Sequence, residues 1–233
     1  MIANWRGVLV LCLAVFLVSG LTAGDITGKV LFKGKPPVEP RINMNTDPVC
    51  RKAHPGPVFA EEVVVNKNAT LRNVLVYIKS GLSGKSYAAP KQPEVFDQKG
   101  CVYHPHVLGI MVGQVLEIRN SDATLHNVHS LSKLNKPFNR AEPMKNMVVT
   151  EKFEKPETFK VKCDVHPWMN AYIGVFNNPF YAVTGDDGSF DLKGVPPGEY
   201  IVETWQEKYG TQTAKVKVGA TGKVTLNFTY EGS

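Results

Sequence analysis

A seven-residue turn between two alternating segments constrains this chain more than any other stretch. Thr158-Phe159-Lys160-Val161-Lys162-Cys163 alternates apolar and polar residues. Period two puts Phe159, Val161 and Cys163 on one face of a β-strand and Lys160 and Lys162 on the other. Ala171 to Phe176 reads as a second strand. The turn between them, Cys163-Asp164-Val165-His166-Pro167-Trp168-Met169, collects a thiol, an imidazole and a thioether. Soft and borderline donors of this kind select copper. The chain must hold this turn at one end of a β structure, with any further donor delivered by another strand.

Asn120-Ser121-Asp122-Ala123-Thr124-Leu125-His126-Asn127-Val128-His129 supplies that donor. As a strand it turns His126 and Val128 to one face, and Leu125, Asn127 and His129 to the other. His126 is the expected ligand, and His129 is expected at the surface or behind the ligands, not on the metal. An early His followed by Asn, then Cys-x2-His-x2-Met, resembles the blue-copper cupredoxins, most closely the amicyanin and plastocyanin type. The resemblance covers Glu94 to Phe180. It implies one type 1 copper held by His126, Cys163, His166 and axial Met169. The amicyanin and plastocyanin type has a proline, without an N–H, two residues after the Cys; this chain departs from it with Val165, and as in azurin-like relatives the backbone N–H groups of Asn127 and Val165 are both expected to bond the Cys163 sulfur. In that family the turn His lies near the surface and electrons pass through it. The resemblance therefore implies redox partners docking at His166 and Trp168, with Pro167 completing an apolar patch.

The N-terminus bounds the compartment. Residues 1–24 carry Arg6, an apolar run from Gly7 to Val18 and small residues at Ala23 and Gly24. That is the layout of a cleaved secretory signal, and the run is short for a membrane span. The mature chain is expected in the periplasm or outside the cell, with no stable membrane span. Export implies an oxidising environment. Cys12 leaves with the signal, and Cys50, Cys101 and Cys163 remain. With Cys163 on copper, Cys50 and Cys101 form an even pair suited to a disulfide. A second metal site, using Cys50 with His54 or Cys101 with His104 and His106, is the alternative. The formal charge of +6 is mild and its lysines are spread along the chain, which excludes a nucleic-acid platform.

The rest of the chain is also strand-like. Asp25 to Phe32 and Val74 to Ile78 read as strands, residues 38–60 as irregular, and 79–91 as a linker. Residues 130–147 show no period, and no helix beyond a turn or two is expected. After the copper turn, Val183 to Leu192 reads as strand, tight turn and strand around Asp187-Gly188. Val195-Pro196-Pro197-Gly198 is a further turn, with strands to Tyr230. This segment resembles the transthyretin-like, carboxypeptidase-regulatory-like β-sandwiches, whose opening strands look like Asp25–Phe32 and Asn73–Tyr77. The expected architecture is all-β: a Greek-key cupredoxin sandwich over 89–179, set inside a smaller sandwich split between 25–88 and 180–233.

An electron carrier is the leading functional reading. A copper chaperone or store, with Met144 and Met147 as extra thioethers, is one alternative. A cell-surface binding module is another, with Trp205 to Tyr209 as a contact segment. No enzyme is expected. Copper oxidases and nitrite reductases set a His beside the Cys to couple two centres, and here the neighbours are Lys162 and Asp164.

Overall fold

Seventeen strands and a single short helix make up a computed structural model that describes residues 23–232. The signal read over 1–24 lies outside the described residues, apart from Ala23 and Gly24. Among the described residues no helix is long and apolar enough to cross a membrane. In chain order the first elements are β1 (Gly24–Lys33), α1 (Pro48–Ala53), β2 (Leu75–Ser80), β3 (Glu94–Gln98), β4 (Tyr103–His104) and β5 (Val107–Met111). Next come β6 (Val115–Asn120), β7 (His126–Ser130), β8 (Asn139–Glu142), β9 (Met147–Lys152), β10 (Glu157–Lys162) and β11 (Asn170–Phe176). The chain closes with β12 (Tyr181–Val183), β13 (Ser189–Val195), β14 (Gly198–Gln206), β15 (Gly210–Val218), β16 (Lys223–Thr225) and β17 (Phe228–Glu231).

The apolar residues divide into two main cores. One lies between a five-stranded sheet, β5-β11-β10-β7-β8, and a four-stranded sheet, β4-β3-β6-β9. Its centre includes Phe96, Ile118, Phe159, Val161, Ile173 and Val175. Alternation does the sorting: Phe159 and Val161 are buried while Lys160 between them is half-exposed. The other core lies between β12-β2-β14-β15 and a sheet in which β1 pairs with β13, β16 and β17. Both of its sheets combine strands from before residue 81 with strands from after residue 180. A third cluster joins the two, where Leu75, Val107 and Phe176 meet Tyr77, Tyr172, Tyr181 and Trp205. Phe176 stacks on Tyr181 at 4.6 Å, and Tyr172 meets Trp205 at 4.8 Å between ring centroids. The buried His106–Glu207 pair, 2.5 Å apart, ties the same seam.

Three segments differ from their sequence reading. Residues 38–60 contain α1, whose N-cap Asp47 accepts from the N–H groups of Val49 and Cys50. This segment packs Met44 and Cys50 into the core that holds Cys163, because Cys50 is joined to Cys101 by a disulfide. Within 130–147 the strand β8 pairs with β7. Its residues Asn-Arg-Ala-Glu bury only Glu142, so an edge strand of this kind leaves no apolar alternation to read. The turn at Asp187-Gly188 forms, with Gly188 N–H bonded to Gly185 O at 3.0 Å. Its flanks are not a hairpin: β12 pairs with β2 and β13 with β1. Gly188 has φ +67, and a Cβ there would lie 2.2 Å from the Cβ of Thr70, so the tight approach of this turn to Thr70 requires glycine.

Candidate metal centre

His126 opens β7 and Cys163 follows the last residue of β10. These strands are antiparallel neighbours with Lys162 opposite His129, so their ends bring His126 and Cys163 to the same end of the sheet. The turn after Cys163 is closed by its own backbone. Met169 N–H donates to His166 O at 2.9 Å, and Cys163 N–H donates to Met169 O at 3.0 Å. His166 N–H points back at the Cys163 sulfur, 3.4 Å away. A short loop with three internal bonds holds its side chains in fixed directions.

His126, Cys163 and His166 converge, each donor atom within 4.8 Å of the others. The two Nδ1 atoms are 3.0 Å apart, and His166 Nδ1 is 3.9 Å from the Cys163 sulfur. Two imidazole nitrogens bound to one ion at about 2.0–2.1 Å stand roughly 3.3 Å apart, close to the separation here. Two imidazoles and a thiol make a donor set that fits copper, and Met169 is buried in the same core as Cys163. All four side chains are buried, with exposures of 0% for His126, 2% for Cys163, 2% for His166 and 1% for Met169.

Each histidine turns its outer nitrogen to a carboxylate. His166 Nε2 is 3.1 Å from Asp47 Oδ2, and His126 Nε2 is 3.0 Å from Asp122 Oδ2. A carboxylate on Nε2 keeps the proton there and leaves Nδ1 free to bind a metal. Each carboxylate is itself pinned. Asp47 also accepts from Thr124 Oγ1 at 2.8 Å, and Asp122 accepts from the N–H groups of Gly100 and Cys101. Sequence reading missed both aspartates. Asp47 has a local signal as the N-cap before Pro48, but its reach to a histidine more than a hundred residues away has none.

The surroundings set the charge balance. Burial opposes ionisation of Asp47, yet Thr124, His166 and the α1 N–H groups lower its pKa to about 2. Burial also opposes charge on His126, but Asp122 and Cys163 outweigh it and raise the ring to about 9. His166 is lowered, first by burial and then by the neighbouring His126 charge, with Asp47 working the other way. The Cys163 thiol is lowered against its burial by His126 and by the N–H groups of Asn127, His166 and Val165. The His166 donor was not anticipated from the sequence. Asn127 also accepts the Asp164 N–H on Oδ1 at 2.7 Å, tying β7 to the turn.

The remaining candidates lie elsewhere. His129 faces outward on Asp164 at 3.0 Å, as strand alternation predicts. His104 is exposed and His106 is taken by Glu207. Cys50 and Cys101 are bonded to each other, so the oxidised protein does not offer them as thiolate ligands beside those histidines. Met144 is 66% exposed and Met147 opens β9. The expected docking patch is corrected by the geometry: His166 does not reach the surface. α1 lies over its outer edge, with Asp47 in contact and the Cys50 sulfur 3.6 Å from Nε2. Trp168 is half-buried and donates to Cys101 O at 3.0 Å. Pro167 and Val165 are the turn's exposed apolar residues.

Comparison with known proteins gave no matching family model and no matching curated protein. Solved structures do align with part of the chain. A purple cupredoxin from Nitrosopumilus maritimus is 28% identical over 32% of this chain and 82% of its own, at a TM-score of 0.29. A mutant of amicyanin in its Cu(I) form is 22% identical over 45% of this chain and 99% of its own, at 0.33. A copper-containing nitrite reductase from Thermus scotoductus is 22% identical over 42% of this chain, at 0.36, and only 26% of its length is spanned.

Proposed function

We propose that this is an exported type 1 copper protein that carries single electrons between redox proteins. One observation carries the reading: two imidazole Nδ1 atoms and a thiol converge in a buried pocket, each ring held from behind by its own aspartate. Bound copper supplies a Cu(II)/Cu(I) couple there. The chain's part is to hold His126, Cys163, His166 and Met169 in one arrangement for both oxidation states. The closed backbone turn fixes Cys163 and His166, and the pinned carboxylates fix both rings, so little has to move when an electron arrives or leaves. The N–H groups around Cys163 stabilise its thiolate. Burial of all four donors excludes water and outside ligands, which favours electron transfer over delivery of the ion or catalysis at it. The leader-like N-terminus and the disulfide support an oxidising, exported setting.

The test is the visible spectrum of purified protein with one equivalent of Cu(II). An intense thiolate-to-copper band supports the reading. Tight Cu(II) binding without that band refutes it, since Cys163 would then not be a ligand.

A further inference from the structure

Residues 41–59 form a loop closed at its own neck. Ile42 N–H donates to Val58 O at 2.8 Å, Ala60 N–H donates to Pro40 O at 2.9 Å, and Arg41 bridges Phe59 between them. Among residues 43–57 only Met44 and Cys50 are buried. A cavity of about 570 Å³ is lined by residues of this loop, from Arg41 and Ile42 to Pro57 and Val58, so the loop packs little of itself. Its tip is α1, the element that covers the outer edge of His166. Asp47 reaches Thr124 and His166, and His54 Nε2 lies 2.6 Å from Gly100 O. The one covalent tie is the disulfide from Cys50 in α1 to Cys101. Few buried apolar contacts mark a segment that opens by itself, ahead of the sheets it rests on.

We propose that this loop is a lid over the metal centre and that Cys50–Cys101 is its latch. With the bond formed, α1 is held against His166, and His126, Cys163, His166 and Met169 are shut away from water. With the bond open, the hold falls to a few hydrogen bonds and two buried side chains, and the lid lifts about its neck. The inference rests on the copper reading for the identity of the ion. Copper enters while both cysteines are thiols, and the bond then retains it. Closing the latch breaks two S–H bonds and forms the S–S bond. Two electrons and two protons pass to a disulfide-bonded oxidant, which leaves as a dithiol. An oxidising compartment favours the closed form.

The test compares metal-free wild type, oxidised and dithiol-reduced, with the Cys50→Ala/Cys101→Ala variant. Two readings are taken: alkylation of Cys163 by iodoacetamide, located by peptide mass spectrometry, and amide hydrogen exchange along the chain. A disulfide contributes a factor of roughly 30 or more to an opening equilibrium. Alkylation tracks the open fraction when closing is fast. Without the bond, Cys163 is expected to react about 30-fold faster. Exchange should quicken over residues 42–58 and stay slow in β10 and β11. Alkylation of Cys163 at the oxidised rate overturns the proposal. So does exchange quickened equally in β10 and β11, since the bond would then hold the whole sandwich and not the lid. Neither reading needs copper. A blue band with Cu(II) and an unmoved Cys163 rate would refute the latch and leave the copper carrier standing. A faster Cys163 in a protein with no blue band would do the reverse.

Discussion

Asp47→Asn separates the two tasks of one carboxylate. Oδ1 of Asp47 caps α1, accepting from Val49 N–H at 2.7 Å and Cys50 N–H at 3.2 Å. Oδ2 accepts from Thr124 at 2.8 Å and from His166 Nε2 at 3.1 Å. Asparagine keeps a carbonyl oxygen and is as good an N-cap as aspartate, so the helix should survive with its stability nearly unchanged. The other position becomes an NH₂ group. Thr124 can rotate its hydroxyl to accept from it, but the His166 Nε2–H would then face a donor. The ring must either keep its proton on Nε2 against that donor or move it to Nδ1, where it blocks the metal. Loss of such an outer partner costs about 10–100-fold in metal affinity, or roughly 1.4–2.8 kcal/mol. The assay is a Cu(I) competition titration against a chelator, with the thermal midpoint of the metal-free protein measured alongside. Affinity within about twofold of wild type would refute the argument that Asp47 sets the tautomer of His166. A large fall in the metal-free midpoint would show that the cap and not the ring had been damaged.

Other outcomes follow from the same geometry. Cys163→Ser should remove the visible band while a weakly bound copper remains; a surviving band would place the thiolate elsewhere. Val165→Pro deletes one N–H that favours the thiolate and leaves all four donors in place, so cyclic voltammetry should show the potential lowered by tens of millivolts, on the order expected for part of a charged hydrogen bond. An unchanged or raised potential with the band intact would show that this N–H does not act on the sulfur. Glu142 is fully buried beside Gln98, and burial raises its carboxyl to about 7 despite the bond from Gln98 and the charge of His126. A carboxyl raised above its unfolded value binds more protons when folded, so this group costs stability as pH rises from about 4.5 to about 7, and no further above that. Glu142→Gln should flatten the decline across that window in urea denaturation, and an unchanged slope would assign it to other groups.

The turn was legible because it is local: Cys163, His166 and Met169 lie within seven residues, and strand alternation separated buried His126 from outward-facing His129. The disulfide was legible from counting thiols: with Cys163 set aside as a ligand, Cys50 and Cys101 were the pair left. What covers His166 was not. The ring's burial depends on α1, brought there by Cys50, Asp47 and Thr124 from distant parts of the chain, and no periodicity in 38–60 announces such a contact. The strand β8 was hidden for a different reason, since an edge strand with one buried residue has no pattern to show. The strands flanking Asp187-Gly188 were seen, but which sheet each joins depends on pairing with β1 and β2, more than a hundred residues away.

The pairing of β1 also fixes an order of events. Its partners β13, β16 and β17 all come from beyond residue 188, and synthesis delivers the N-terminal part first. From the moment it emerges, β1 therefore lacks its strand partners, with only a short bridge to Thr70 through Phe32 N–H on Ala69 O and Leu71 N–H on Val30 O, while residues 34–188 are made and the sheets around Cys163 can form. An apolar strand with open hydrogen-bonding edges is a template for the wrong neighbour. The end of this chain that holds Cys163 can be complete while its first strand still lacks its strand neighbours, and the yield of intact protein should depend on how well that strand is guarded until residue 231 arrives.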